Sequence, residues 1–200
     1  MDKQTIDAYN NFAQKYDEET SDFWDKFPQT FLKRFIGSIK GEKKVLDIGS
    51  GPGRDGLILQ QAGMQVVCLD ASEAMIKLSQ SKGLNSIKAD FNQLPFEDNF
   101  FDGIWAYTSL LHVPKSEISK PMQEIRRVLK PNGIFGLGLI EGTVEEYRET
   151  KKVSEPRWFS FYTKNEVENL LRQYKFEILH FEEFRPNTKN YLNFISEKLA

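Results

Sequence analysis

The 200-residue sequence holds one cysteine, Cys68, so no internal disulfide framework can form. Histidine is nearly as scarce, with two residues, and no His, Cys and Asp cluster has the spacing of a metal centre. Charge of neither sign dominates: 27 Lys and Arg stand against 29 Asp and Glu, a formal net charge of -2. Without a global basic field, nucleic acid is not the favoured partner. Long hydrophobic runs are missing as well. The apolar stretch at 133–140 is far too short to span a bilayer, and Met1-Asp2-Lys3-Gln4 leads into no apolar signal region. These absences point to a cytoplasmic globular chain with no membrane partner. With 40% hydrophobic residues it can bury a core and is not a disordered chain. One excess needs an explanation: 16 Phe, 7 Tyr and 3 Trp.

The apolar period alternates between helix-like and strand-like segments, with no internal repeat. Residues 2–16 and 22–39 read as helices; in the second, Phe23, Phe27, Phe31, Phe35 and Ile39 recur every fourth residue. Short apolar runs at 44–48, 65–69, 86–89, 101–107 and 134–140 read as strands. The helices between them are expected at 54–62, 73–81 and 121–130. Gly63 and Gly83 stop the first two, and Ser72 caps the second at its N-terminus. Residues 145–149 read as a solvated helix face. Thr163 and Glu166 form a capping box that opens a helix to about residue 174. Two last strands, 176–184 and 191–195, are joined by Arg185-Pro186-Asn187-Thr188, a loop too short for a parallel crossover.

Strands alternating with helices predict an α/β fold, a doubly wound, mostly parallel seven-stranded sheet with an antiparallel last strand. The chain reads as a single domain over 1–200. It divides into an N-terminal helical cap (1–40), a core (41–140), a lid candidate (141–162) and a C-terminal helix with a strand hairpin (163–200). Ligands of such sheets sit at the carboxyl ends of the strands, near the switch point.

The segment Val45-Leu46-Asp47-Ile48-Gly49-Ser50-Gly51-Pro52-Gly53-Arg54-Asp55-Gly56 is the most informative. Glycines after a strand allow a tight turn and close approach of a ligand to the main chain. Gly51 to Gly56 spells G-x-G-x-x-G, with Asp70 further on, as in a dinucleotide fingerprint. Two residues oppose that reading. Pro52 removes a backbone donor from the loop, and Asp47 would repel a pyrophosphate while suiting a cationic ligand.

The pattern strand-Asp-x-Gly-x-Gly-x-Gly resembles the first motif of the class I S-adenosylmethionine-dependent methyltransferases. The resemblance continues in order over roughly 40–195: Val66-Val67-Cys68-Leu69-Asp70-Ala71-Ser72, Ile87-Lys88-Ala89-Asp90-Phe91, the 94–102 stretch Leu-Pro-Phe-Glu-Asp-Asn-Phe-Phe-Asp, and Leu129-Lys130-Pro131-Asn132-Gly133. Asn132 stands where the family usually has glycine. The resemblance implies S-adenosylmethionine as cofactor. It also implies roles. Asp70 would accept the ribose hydroxyls, since a carboxylate offers two acceptor oxygens. Gly49, Ser50 and Gly51 would meet the methionine part, with Asp47 orienting the loop or taking the ammonium side. Asp90 would accept from the adenine amino group while Phe91 and Ala71 pack the ring. Arg54 would pair the cofactor carboxylate or remain a solvated first-turn residue. Tyr107 ends strand four beside the methionine moiety.

Methyl transfer is an in-line displacement at an activated carbon, so alignment matters more than a catalytic triad. His112, after strand four, is the general-base candidate; His180 reads as structural. No Asn/Asp-Pro-Pro-aromatic tetrad follows strand four, where Ala106-Tyr107-Thr108-Ser109 stands. That argues against amino-methylating enzymes acting on adenine or glutamine. Tyr9 and Tyr16 on one side, and Arg157, Trp158 and Tyr162 on the other, are the acceptor-binding candidates. They suggest a small, partly apolar or aromatic acceptor. The competing readings are an RNA or protein methyltransferase, a non-catalytic cofactor-binding module, and an NAD(P)-dependent oxidoreductase.

Overall fold

The computed structural model describes residues 2–186 and 188–199. Asn187, in the loop expected between the last two strands, lies outside the described residues. The N-terminal helix α1 (Lys3–Thr20) runs a turn longer than its apolar pattern indicated, with Asp2 capping it through the Thr5 N–H at 2.8 Å. The single helix expected over 22–39 is instead two, α2 (Phe23–Lys26) and α3 (Thr30–Ser38). Pro28 is the cause. It crowds the residue before it out of the helical region, and Phe27 accordingly sits at φ -128 and ψ 152.

The core then alternates as its pattern requires: β1 (Lys44–Ile48), α4 (Arg54–Gln61), β2 (Gln65–Asp70), α5 (Glu73–Ser81), β3 (Ser86–Lys88), β4 (Phe101–Tyr107), α6 (Ser119–Val128) and β5 (Leu129–Ile140). Ser72 caps α5 by accepting from the Met75 N–H at 3.2 Å. After β5 come β6 (Glu145–Arg148), β7 (Arg157–Ser160), α7 (Lys164–Gln173), β8 (Phe176–Phe184) and β9 (Tyr191–Lys198). The capping box at Thr163 and Glu166 is present in both directions.

The seven-stranded sheet has the order β3-β2-β1-β4-β5-β9-β8. All neighbours among the first five strands run parallel, and β9 lies antiparallel between β5 and β8. On one face α3 and α4 bring Phe31, Leu32, Phe35 and Leu59 onto Val45 and Trp105. On the other, α6 and α7 bring Met122, Ile125, Val167 and Leu171 onto Leu46, Ile104 and Phe135. Much of the aromatic excess is this packing: Phe101 and Trp105 are wholly buried.

Residues 145–149 do not form a helix face. Glu145–Arg148 is a strand, paired antiparallel with β7 in a small separate sheet. Glu and Arg favour helices intrinsically, but cross-strand contacts override that preference. Tyr147 meets Trp158 edge-on at 5.2 Å, and the Ser160 hydroxyl donates to Glu145 Oε1 at 2.7 Å. No helix among the described residues is long and apolar enough to cross a membrane.

Candidate cofactor pocket and adjoining chamber

The strand order reverses between β1 and β4, and a pocket opens at their carboxyl ends, enclosing about 660 Å³ of open space. The loop after β1 forms its floor. Gly49 has φ +66, and a Cβ there would stand 2.3 Å from the Ser109 Cβ and 3.1 Å from the Phe91 ring. Gly51 has φ +54 and faces open space, with only the Tyr16 ring within 4.0 Å. Both positions therefore need glycine for conformation, and Gly49 for space as well.

Asp70 closes β2 and organises the loop. Its Oδ2 accepts from the Gly51 N–H at 2.9 Å and its Oδ1 from the Ser72 N–H at 2.8 Å. Burial pushes its pKa up, while the N–H groups of Ser72, Gly51 and Ala71 pull it down. Each oxygen keeps a second lone pair for a hydroxyl donor. Asp47 is 2% exposed, and its Oδ2 has no partner among the described residues. Burial, and then the nearby Asp55 charge, raise its pKa well above the ordinary value. A cationic ligand group would relieve both effects.

Asp55 is a centre that the sequence reading did not single out. Its carboxylate accepts from the indole N–H of Trp24 at 2.7 Å and of Trp105 at 2.8 Å, and from Arg54 Nε at 2.6 Å. Burial opposes its ionisation, but Arg54 and the two indoles hold its pKa below the ordinary value. Arg54 is thus not a solvated first-turn residue. It lies 4.7 Å over the Phe23 ring and 5.7 Å over Trp24, tied to Asp55 while still lining the pocket.

Helix α1 roofs the pocket. Asn10 Oδ1 accepts from the Ser72 hydroxyl at 2.8 Å, and Lys82 Nζ donates to Asp17 Oδ1 at 2.6 Å. Tyr9 and Tyr16 thereby reach the lining. His112 sits opposite them, 5% exposed. Its Nδ1 lies 2.6 Å from the Trp158 carbonyl, which can only accept, so Nδ1 carries the proton. Nε2 then accepts from the Tyr9 hydroxyl at 2.8 Å, and that oxygen accepts from Arg157 Nη1 at 2.7 Å. Burial drives the His112 pKa down to about 3, with Arg157 adding to the effect against the Trp158 carbonyl.

The other candidates divide between lining and support. Asp47, Gly49, Ser50, Gly51, Arg54, Asp70, Phe91 and Tyr107 all line this pocket. Ala71 and Asp90 do not; Asp90 Oδ1 accepts from the Asn92 N–H at 2.9 Å beside β3. Tyr107 belongs to both the core and the pocket. Its ring stacks between Trp105 and Tyr191, while its buried hydroxyl has no hydrogen-bond partner among the described residues. Arg157 lines the adjoining chamber described below, whereas Trp158 and Tyr162 line neither space. Trp158 supports the site from behind through its carbonyl. His180 lies on β8, with Nε2 3.2 Å from Glu182, away from both spaces.

A mostly parallel doubly wound sheet, a glycine loop after β1 and a half-buried acidic residue closing β2 define a nucleoside-cofactor-binding protein of the Rossmann-like class. Residues 46–137 match the methyltransferase domain family model. Residues 46–137 therefore carry a methyltransferase domain, and the fold is that of class I, S-adenosylmethionine-dependent methyltransferases. It is 38% identical over 118 residues to a sterol 24-C-methyltransferase of Gibberella zeae, covering 54% of this chain and 30% of that protein. It is 35% identical over 113 residues to the glycine/sarcosine/dimethylglycine N-methyltransferase of Actinopolyspora halophila, covering 51% and 20%. The chain thus spans less than a third of the length of these two relatives. In fold it matches the 1,6-didemethyltoxoflavin-N1-methyltransferase of Burkholderia thailandensis, solved with 1,6-didemethyltoxoflavin and S-adenosylhomocysteine. That match has a TM-score of 0.71 at 20% identity and covers 98% of this chain and 88% of that one.

Proposed function

We propose that this chain transfers a methyl group from S-adenosylmethionine to a small-molecule acceptor. The observation that carries the reading is the convergence at the switch point of a glycine floor, the Asp70 carboxylate and the unpartnered Asp47 Oδ2. A buried orphan carboxyl oxygen in a pocket lined by aromatic and glycine residues suits a ligand that is cationic at one end and apolar at the other.

The residues that would hold the cofactor follow from the lining. Gly49, Ser50 and Gly51 would pass along its methionine part and Asp70 would take its ribose hydroxyls. Asp47 would face its ammonium end. Phe91 would pack its adenine, with Asp90 and Ala71 further out on the same side. Arg54, anchored by Asp55, would face the carboxylate, and the unpartnered Tyr107 hydroxyl would take a remaining polar atom. When bound, the cofactor supplies a methyl carbon activated by the sulfonium for in-line displacement. The chain's own contribution is alignment and exclusion of water. Helix α1 does both, since its links to Ser72 and Lys82 hold Tyr9 and Tyr16 over the opening. A cytoplasmic location belongs to the same proposal, because the methyl donor is an intracellular metabolite.

His112 is best read as a neutral acceptor that fixes the Tyr9 hydroxyl. With its folded pKa near 3 and an ordinary value of 6.5, the native ring is unprotonated in the range where the unfolded ring takes up a proton. Stability contributed by this group is full above pH 6.5 and is lost as the pH falls toward 3. In His112→Gln that loss is removed, and the pH dependence of unfolding flattens by up to about 1.4 kcal/mol per pH unit. Denaturant unfolding across that window, for both proteins, checks the sign and size.

The acceptor class is tested with methyl-labelled S-adenosylmethionine, the chain, and a panel of small molecules, RNA and protein. Label in the small-molecule fraction is the expected result. Label confined to precipitable RNA or protein would overturn the reading.

A further inference from the structure

A second space of about 850 Å³ adjoins the cofactor pocket and shares Tyr9, Tyr16, Arg54, Tyr107, Thr108 and His112 with it. Its walls are aromatic on several sides: Phe23, Tyr107, Phe159 and Tyr191. Its charged lining is of one sign. Arg54, Lys151, Lys152, Arg157 and Lys189 line it, and among the described residues no Asp or Glu does. This cation set comes from segments far apart in sequence, which is why the overall charge balance hides it.

Arg157 is the centre of the set. It is 3% exposed. Nη1 donates to the Tyr9 hydroxyl and Nη2 to the Thr150 hydroxyl, each at 2.7 Å, while the buried Nε has no partner. Every protein group it bonds is neutral, so among the described residues its charge has no carboxylate within ion-pair reach. Arg54, by contrast, has Asp55. A buried guanidinium without a counter-charge is costly, and an incoming anion would relieve that cost. Cation–π contacts over Tyr9 at 4.9 Å and Phe159 at 5.2 Å hold its plane against the aromatic walls.

The lysines point to the same conclusion. Lys189 is exposed, yet partial desolvation, followed by the charges of Lys152, Arg157 and Arg148, pushes its pKa down. Burial also lowers that of Lys152, with Glu19 and Asp22 opposing and Arg54 and Lys26 adding to the effect. Like charges converging on one cavity repel unless something negative lies between them. The nearby carboxylate of Glu141 lies on the neighbouring rim, where it takes Arg185 and the Asn190 amide.

We propose that the methyl acceptor is a small planar anion, its carboxylate or phosphate held by Arg157, Lys152 and Lys189 and its ring by the Phe23, Tyr107, Phe159 and Tyr191 walls. The proposal rests on the cofactor reading of the adjoining pocket. It narrows the expectation of a partly apolar or aromatic acceptor by adding a charge.

The test is calorimetric titration of benzoate and phenyl phosphate, with neutral benzamide as the matched control, into the full chain with and without saturating S-adenosylhomocysteine. Both anions, or the one whose head group fits, are expected to bind at least about tenfold more tightly than benzamide, and to weaken as salt rises. The double variant Lys152→Ala/Lys189→Ala, at positions outside the cofactor pocket, is expected to lose about tenfold in anion affinity while binding S-adenosylhomocysteine as before. Arg157→Gln is expected to lose more, with its fold checked by circular dichroism.

Equal binding of benzamide and the anions would overturn the proposal, as would no binding of any probe. So would a double variant that lost S-adenosylhomocysteine and kept the anions, because the cations would then serve the cofactor. Failure of the wild type to bind S-adenosylhomocysteine would instead sink the cofactor reading. The anion arms without it still decide whether the chamber is an anion site.

Discussion

Replacing Asp70 by alanine is expected to weaken S-adenosylhomocysteine binding about 100-fold, close to 3 kcal/mol. Two losses combine. The carboxylate is the acceptor for the Gly51 N–H and the Ser72 N–H, so the glycine loop and the start of α5 both lose their tie to β2. It also carries the lone pairs proposed for the ribose hydroxyls, and charged hydrogen bonds to a ligand are worth more than neutral ones. Asp70→Asn separates the two. The amide keeps one acceptor oxygen but sets its NH2 group against an N–H, so its affinity should fall between wild type and alanine. Equal affinity for all three proteins would place the ribose elsewhere.

Asp55→Ala is expected to cost about 3–5 kcal/mol of folding stability. The substitution leaves the Trp24 and Trp105 indole N–H groups without their acceptor and strips Arg54 of its counter-ion in a side chain only 17% exposed. These groups join α2, α4 and β4, so the damage spreads beyond α4. Asp55→Asn retains an acceptor for one indole while removing the charge that offsets Arg54. If the charge pairing dominates, it will be nearly as unstable as alanine; if the indole bonds dominate, it will lie about midway between alanine and wild type. Denaturant titration of the three proteins makes the comparison. A loss below about 1 kcal/mol in Asp55→Ala would contradict this view of Asp55 as the anchor beneath the pocket.

What could be read from the sequence was local. Gly49 and Gly51 follow a short apolar strand, and the backbone takes the positive φ angles that such glycines permit. Ser72, Thr163 and Glu166 carry their cap chemistry within three residues of the groups they bond. Five strands, with helices in three of the four connections between them, left little freedom in topology. The misread elements had a reason within reach or a partner far away. Pro28 marks the break between α2 and α3, but the fourfold Phe spacing on either side masked it. Glu145 to Arg148 has helix-favouring residues, and only pairing with Arg157 to Ser160 makes it a strand.

The site shows the same division. Asp47 and Asp70 belong to a recognisable local pattern. Asp55 was overlooked because its importance comes from Trp24 and Trp105, 31 and 50 residues away. His112 could be placed at the right edge of the sheet. Its neutrality comes from burial, and the partners that fix its ring, Tyr9 and Trp158, lie 103 and 46 residues away. The cationic chamber was invisible for the same reason, since Arg54, Lys152, Arg157 and Lys189 meet only in three dimensions.

On this reading, the pocket between the β1 loop and Asp70 holds S-adenosylmethionine. Calorimetric titration of the wild-type chain with S-adenosylhomocysteine tests it most directly. One saturable site per chain is expected, and its heat is expected to collapse in Asp70→Ala. Absence of any saturable binding to the folded wild type, or binding unchanged in Asp70→Ala, would contradict it.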